Sequence, residues 1–168
     1  PLPVWKDELY LETHRGTYTT QAIIKKYNRR AEILYRNAEA FAAAAELLGA
    51  RYPAKLLEEG RKIVLKNQFH DILPGSHVTE ARDDAVEEYR AAFEKGLKAR
   101  DDAVGFISRR IGAGGGGTAV AVFNAATWPR NDVFEAEFTT AVRKFRVVDA
   151  AGNEAAHQIL GRRGDAVR

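Results

Sequence analysis

Two adjacent polar residues, His70 and Asp71, are the strongest candidates for chemistry in this sequence, because an imidazole and a carboxylate can together bind a metal ion or a substrate. Pro74 and Gly75 follow them closely. Pro74 disfavours the helical conformation at Leu73, and Gly75 readily takes a positive φ angle. The sequence therefore predicts that the pair lies on the last turn of a helix and faces a cleft. The alternative is a structural role, since a protonated histidine also stabilises a helix C-terminus.

A second segment, residues 8–21, is dense in hydroxyls, carboxylates and aromatic rings. A tyrosine ring combines an apolar face with a polar edge. A sugar also has apolar faces, and its edges form hydrogen bonds. The segment therefore predicts a surface that binds carbohydrate. The alternative is an exposed polar loop that caps the helix after it.

Long amphipathic helices must position both segments. The first helix is predicted from Thr17 to Leu48, with Thr19 or Thr20 as its cap and Gly49 at its stop. Its apolar stripe, in steps of three and four residues, is Ile23, Tyr27, Ala31, Leu34, Ala38, Phe41, Ala45 and Leu48. The hydroxyl-rich segment therefore leads directly into this helix.

Two further helices follow the first. The second is predicted from Ala54 to Asp71, and its buried candidates are Leu57, Val64, Leu65, Phe69 and Ile72. The third is predicted to begin near Ser76 or Thr79, and its apolar stripe is Val86, Tyr89, Phe93, Leu97, Val104, Ile107 and Ile111. Because short loops join the three helices, the sequence predicts an antiparallel bundle.

The hydrophobic pattern changes after a glycine-rich connector at residues 113–117. Strands are predicted at residues 118–124, 133–138, 143–149 and 155–160, with a turn at residues 151–153 and exposed strand edges. Residues 112–117 match G-x-G-x-x-G, but they follow a helix and precede a strand, which is the reverse of the order in a dinucleotide site. The predicted class is therefore α+β, an antiparallel three-helix bundle followed by a partial antiparallel β domain.

The amino-acid composition is that of a globular protein, and it excludes some kinds of catalytic and metal-binding chemistry. Of the 168 residues, 45% are hydrophobic and 29% are charged, and a net charge of only +3 disfavours a nucleic-acid-binding protein. The absence of cysteine excludes thiol catalysis and cysteine-ligated zinc, and it favours a reducing, cytoplasmic compartment. Apolar runs are shorter than the roughly 18 residues that span a bilayer. Because the chain begins with Pro1 and contains no methionine, we expect it to be part of a longer polypeptide.

Three motifs, in this order, resemble those of the glycoside hydrolase family 38 α-mannosidases, most closely the bacterial and cytosolic branch. They are Glu8-Leu9-Tyr10-Leu11-Glu12 with His14-Arg15-Gly16-Thr17-Tyr18-Thr19-Thr20-Gln21, then Lys26, Asn28, Arg29 and Glu32, and then Asn67-Gln68-Phe69-His70-Asp71 with Gly75-Ser76. Val122-Phe123-Asn124 and Thr127-Trp128-Pro129-Arg130 are similar to the start of that family's β domain. The resemblance implies that residues 1–16 end a catalytic α/β domain, 17–112 form a helical middle domain, 113–117 a linker and 118–168 the start of a β domain.

The same resemblance implies a role for particular residues. His70 would be a ligand of a catalytic Zn²⁺, with Co²⁺ as an alternative, and Asp71 would bind the substrate, a mannose-containing oligosaccharide. His14, Arg15 and Tyr18 would lie near the rim of the sugar site. The other zinc ligands, the nucleophile and the acid/base are expected upstream, so we expect a metal-dependent retaining α-mannosidase of which this chain alone is inactive and binds zinc weakly or not at all.

Two other functions compete with this interpretation. The first is a helical-bundle interaction module without catalysis, which would bind partners through an apolar stripe or an unpaired β edge. The second is nucleic-acid binding through Lys25, Lys26, Arg29 and Arg30, which lack interleaved aromatic residues and share their helix with acidic ones. We expect no nucleic-acid or membrane partner, and the sequence leaves homo-oligomerisation open.

Overall fold

The computed structural model describes residues 2–6, 12–112 and 116–168, so residues 8–11 of the first motif and residues 113–115 of the connector lie outside the described residues. The chain divides into two units, Pro1–Ile111 and Gly112–Arg168. The first contains a 3-10 helix, Glu12–Tyr18, and the helices α1 (Ala22–Leu47), α2 (Ala54–Asn67) and α3 (Thr79–Ser108). The second contains short antiparallel strands. The predicted α+β class is confirmed.

The ends of α1 differ in how well the sequence predicts them. The helix begins at Ala22 rather than Thr17, and its N-cap is Gln21, in the left-handed conformation (φ 49°, ψ 47°) and without a side-chain cap bond. The predicted threonine cap is therefore wrong. At the other end Gly49 has a φ of 95°, and its amide donates to the Glu46 carbonyl at 2.8 Å. The predicted glycine stop is confirmed.

Small residues line the contact between α1 and α3. On α1 the buried residues are Ile24, Asn28, Ala31, Leu34, Tyr35, Ala38, Ala42 and Ala45. On α3 they are Ala85, Tyr89, Ala92, Gly96, Ala99 and Ala103. The predicted α3 stripe was wrong in part, since Leu97 is 39% and Ile111 53% exposed. Alanine and glycine let the helix backbones approach closely, so several of the larger apolar residues flank the contact line instead of forming it.

Tyr35 fills the space where the three helices meet. Its hydroxyl donates to the Ala92 carbonyl of α3 at 2.6 Å. A Cβ atom at Gly60 of α2 would lie 2.6 Å from Tyr35 Cζ and closer still to its hydroxyl, and one at Gly96 of α3 would lie 2.8 Å from Leu34 Cδ2. Both glycines are therefore required by packing, and they fix the register of α2 and α3 on α1.

The second helix is shorter than predicted. It ends at Asn67 rather than Asp71, and the chain then turns through residues 68–75. Leu57 and Val64 are buried as predicted, whereas Leu65 is 64% and Phe69 53% exposed. Beyond the helix the chain turns back, and Gly75 packs against the segment that precedes α1.

The second unit contains β1 (Phe138–Thr139), β2 (Val147–Val148), β3 (Glu154–Ala155), β4 (Arg162–Arg163) and β5 (Ala166–Val167). One antiparallel sheet has the order β1-β5-β4, and β2 pairs with β3. The predicted turn at residues 151–153 is confirmed, and an Asp149 carboxylate oxygen accepts the Ala151 amide at 2.8 Å. The predicted strands are mostly wrong in extent, since residues 118–124 form none. Alternating apolar residues make a strand only where a second strand supplies hydrogen bonds, and most of the large ones here are exposed.

None of the helices in the described ranges is both long and apolar enough to cross a bilayer.

Replacement of Gly60 by alanine tests the role of Tyr35. We expect Gly60→Ala to lower the free energy of unfolding by about 1–3 kcal/mol through overpacking. The matched control is Gly105→Ala on α3, where the added Cβ meets only the mobile end of Arg109 at 3.4 Å. That change should raise the same free energy by about 0.5–1 kcal/mol, because alanine loses less backbone entropy than glycine. Equal effects in urea titrations would contradict the proposed packing.

Tyr35 also predicts an alkaline loss of stability. Burial raises the pKa of Tyr35, and likewise that of Tyr89, to about 12. Between pH 10 and pH 12 the unfolded chain loses phenolic protons that the folded chain keeps, so the free energy of unfolding should fall by roughly 1 kcal/mol per pH unit for each tyrosine. Urea titrations at several pH values should show a shallower fall in Tyr35→Phe. An unchanged slope in that variant would contradict this account.

Candidate functional site

His70 and Asp71 lie on an exposed loop that follows α2, here called the His-Asp loop (residues 68–75). The expectation that they lie on the last helical turn is wrong, because α2 ends at Asn67. The His70 Nε2 atom is 3.6 Å from Asp71 Oδ2, and the two side chains are 77% and 60% exposed. The His70 ring lies 4.1 Å from the Phe69 ring, measured between centroids. The two groups that were predicted to do chemistry are therefore adjacent and accessible.

Successive tight turns give the His-Asp loop its shape. The amides of Ile72 and Leu73 both donate to the Phe69 carbonyl, at 2.9 and 3.0 Å, and the Gly75 amide donates to the Ile72 carbonyl at 3.0 Å. His70 and Asp71 sit inside the first of these turns. The backbone beneath the two side chains is therefore hydrogen-bonded, although it is not helical.

Lys25 of α1 joins the end of the loop to the N-terminus of that helix. Its Nζ donates to the carbonyls of Leu73 and Pro74, each at 3.1 Å, and to the Thr20 carbonyl at 2.6 Å. Burial lowers the pKa of Lys25. This lysine therefore ties three backbone carbonyls from two separate segments together.

Gly75 brings the two predicted motifs into contact. It has a φ of 84°, and a Cβ atom there would lie 2.7 Å from Thr20 Cγ2, 2.9 Å from the Thr20 carbonyl oxygen and 3.0 Å from Gln21 Cβ. The position therefore requires glycine both for conformation and for space. The hydroxyl-rich segment and the His-Asp loop thus meet at the end of the bundle where α1 begins and α2 ends.

The residues predicted at the sugar-site rim lie in the 3-10 helix before α1. This helix is kinked at His14 (φ −114°, ψ 15°), and the Thr17 hydroxyl donates to the His14 carbonyl at 2.8 Å. The side chains of His14, Arg15 and Tyr18 are all exposed. Contacts that join this segment to the His-Asp loop run through Thr20, Gln21 and Lys25.

Residues 12–107 match the model of the family described as "Alpha mannosidase middle domain". The chain belongs to this family. The resemblance to α-mannosidases read from the motifs is thereby confirmed.

Individual α-mannosidases are similar to the same part of the chain. It is 49% identical to the α-mannosidase of Saccharomyces cerevisiae over 78 residues, which is 45% of this chain and 7% of the yeast protein. It is 40% identical to the mouse (Mus musculus) α-mannosidase 2C1 over 90 residues, 52% of this chain and 9% of the mouse protein. The α-mannosidase G of Dictyostelium discoideum is 40% identical over 83 residues. The chain spans less than a tenth of the length of these relatives.

Within the described ranges there is no cluster of three or more His, Asp or Glu side chains that could hold a metal ion. His70 and Asp71 are nevertheless accessible donors of the types that zinc accepts, an imidazole and a carboxylate. A catalytic zinc site takes three protein ligands and leaves one position open. The His70 imidazole therefore fits as one ligand of such a set, with the Asp71 carboxylate beside it.

A cavity of about 350 Å³ lies at the opposite end of the middle domain. Alanines and Phe106 form its apolar part, and Arg51 and Arg109 are among its polar residues. Neither His70 nor Asp71 lines it. With side chains that are 77% and 60% exposed, these two residues lie on the open surface of the part of the chain that the structure describes.

The sequence analysis placed Asn28, Asn67 and Gln68 in motifs, but it did not predict the hydrogen bonds by which polar residues hold the His-Asp loop. Asn28 is buried on the apolar stripe of α1, and Gln68 Nε2 donates to its Oδ1 at 2.9 Å. Asn67 is fully buried, and its Nδ2 donates to Glu88 Oε2 at 2.8 Å. An asparagine at an apolar-stripe position is a signal that could have revealed Asn28. The two loop acceptors of Lys25, the carbonyls of Leu73 and Pro74, lie 48 and 49 residues away in sequence, so no local pattern reveals them.

Gly75→Ala tests whether contact with Thr20 holds the loop. The matched control is Gly49→Ala, which also places alanine at a positive φ (95°) but has no atom within 4 Å of the added Cβ. Both changes incur the left-handed penalty, about 1–2 kcal/mol. Steric overlap should make Gly75→Ala more destabilising by at least about 1 kcal/mol, measured by urea unfolding. Equal losses would show that the contact with Thr20 contributes nothing.

Proposed function

We propose that this chain is the middle domain of a metal-dependent retaining α-mannosidase, in which His70 ligates zinc and Asp71 contacts the sugar. The observation that carries the proposal is the His-Asp loop, where an accessible imidazole and a carboxylate lie side by side in a member of the α-mannosidase middle domain family. The relatives named α-mannosidase match the same region. The substrates proposed for the whole protein are mannose-containing oligosaccharides.

His70 would act through one imidazole nitrogen. The ring is exposed, so a metal held partly by other segments could reach it without disturbing the bundle. Zinc bound there would act as a Lewis acid toward sugar hydroxyls, and Co²⁺ prefers similar ligands. We assign the remaining ligands to other parts of the whole protein.

Asp71 and the 3-10 helix would form the sugar-binding part of the site. The Asp71 carboxylate can accept hydrogen bonds from two neighbouring hydroxyls of mannose. His14, Arg15 and Tyr18 offer exposed polar groups and a ring on the segment that contacts the same loop, and we propose them as rim residues. Retention of configuration requires two carboxyl groups about 5–5.5 Å apart, and we assign neither of these to Asp71.

The partners of the basic residues on α1 support this proposal over nucleic-acid binding. Three cations of the basic cluster have partners on the bundle itself, with Lys25 bonded to backbone carbonyls and Arg29 to Glu32 at 3.2 Å. The Arg30 guanidinium lies 5.5 Å from the centre of the Phe93 ring.

A cytoplasmic location is proposed from the lack of cysteine.

His70→Ala in the whole protein tests the proposal. Bound zinc, measured by mass spectrometry of the metal, should fall from about one equivalent to near zero, because a catalytic site has only about three protein ligands. Hydrolysis of an aryl α-mannoside should fall by more than about 100-fold, beyond the loss typical of residues that only support the ligands. Proton NMR of the wild-type reaction should show the α anomer of mannose as the first product.

The control for this test is His157→Ala, which removes an exposed histidine of the second unit. It should leave both zinc content and hydrolysis unchanged. If His70→Ala also leaves both unchanged, the His-Asp loop has a structural role and the interaction-module interpretation replaces this one.

A further inference from the structure

His70 and Asp71 receive little support from packing. Their side chains are mostly exposed, and among the described residues the His70 ring packs against the ring of its neighbour Phe69. Because the two side chains are so exposed, their orientation depends mainly on the backbone that carries them. Whatever fixes the two ends of the His-Asp loop therefore decides where the imidazole and the carboxylate lie.

One end of the loop is held through Gln68, the residue that follows α2. Its Nε2 donates to Asn28 Oδ1 at 2.9 Å and to Glu32 Oε1 at 3.2 Å, both on α1. Asn28 Nδ2 donates to the same Glu32 oxygen at 3.0 Å, and the buried Tyr89 hydroxyl donates to Asn28 Oδ1 at 3.3 Å. Both polar atoms of the Asn28 side-chain amide therefore have hydrogen-bond partners. These partners fix the position of Oδ1, the atom that accepts the hydrogen bond from Gln68.

The other end of the loop is held through Lys25. An ammonium group has three N–H donors, and the three carbonyls of Thr20, Leu73 and Pro74 match that number. Two of these carbonyls belong to the loop and the third belongs to the segment that Gly75 contacts. These three bonds therefore join the C-terminal end of the His-Asp loop to the segment that precedes α1.

Both ends are held by one face of one helix. Lys25, Asn28 and Glu32 are spaced by three and four residues on α1 and so lie along a single stripe. The same helix carries Tyr35, which is locked between α2 and α3. The stripe is therefore a rigid base for the whole His-Asp loop.

We propose that Lys25, Asn28 and Glu32 are positioning residues for zinc binding and mannoside hydrolysis, because they hold the two ends of the loop that presents His70 and Asp71. This inference rests on the proposed function. It assigns to α1 a role in the site that is separate from its role in the core of the bundle.

Lys25→Met and Gln68→Met in the whole protein test this inference. Each keeps the length of the side chain and removes its donors. Zinc affinity, measured by competition with a chelator, should fall by about 10- to 100-fold in each variant, as for residues that orient metal ligands. Amide hydrogen exchange of Ile72, Leu73 and Gly75, whose amides are hydrogen-bonded within the loop, should become faster. In hydrolysis of an aryl α-mannoside, kcat should fall more than KM changes.

Two control variants separate positioning from general stability. Lys62→Met removes an exposed lysine that pairs with Glu58 on α2 and should leave zinc affinity unchanged. Tyr35→Phe removes the bond to the Ala92 carbonyl and lowers stability away from the loop, so zinc affinity per folded molecule should again be unchanged. Zinc affinity that falls equally in Tyr35→Phe and Lys25→Met would reduce the role of Lys25 to stability and overturn the inference.

The same measurements also distinguish failure of this inference from failure of the proposed function. If His70→Ala loses zinc while Lys25→Met and Gln68→Met keep wild-type affinity and kcat, the positioning role is wrong and the mannosidase site stands. If His70→Ala keeps its zinc, the proposed function fails and this inference fails with it.

Discussion

The fit of Tyr35 between two glycines is the constraint on which the bundle depends. A tyrosine ring placed against Gly60 of α2 and close to Gly96 of α3 allows only one register among the three helices, and its hydroxyl bond to the Ala92 carbonyl fixes the ring itself. The alanine-rich faces that surround it allow α1 and α3 to lie close together. Such packing depends on shape, so a single added methyl group should disturb it more than the loss of an exposed apolar residue.

The register that Tyr35 fixes also determines the geometry of the candidate site. Lys25, Asn28 and Glu32 lie on the same helix, up to about three turns before Tyr35, and face the loop that follows α2. A shift of α2 along α1 by one residue would carry Gln68 about 1.5 Å away from its acceptors. The core and the site are therefore coupled through one rigid helix, although the side chains proposed to do chemistry are themselves exposed.

The bundle could be predicted from the sequence because its apolar residues recur at helical spacing and Gly49 marks a stop. The larger errors have physical causes. The stripe on α3 was placed on large apolar residues, whereas close approach selects Ala85, Ala92, Gly96, Ala99 and Ala103. The strands were overestimated because alternation does not supply a hydrogen-bonding partner. For the site, the His-Asp pair could be found from residue type alone, but the loop contacts of Lys25 and Gly75 join segments about fifty residues apart, which no local pattern encodes.

The central claim is that a chain of the α-mannosidase middle domain family presents His70 to a catalytic metal from a loop held by α1. The most direct measurement is a crystal structure of the whole protein with zinc located by anomalous scattering. We predict an anomalous peak about 2.0–2.1 Å from a ring nitrogen of His70, the usual zinc–imidazole distance. A bound zinc ion whose ligands do not include His70 would contradict the account.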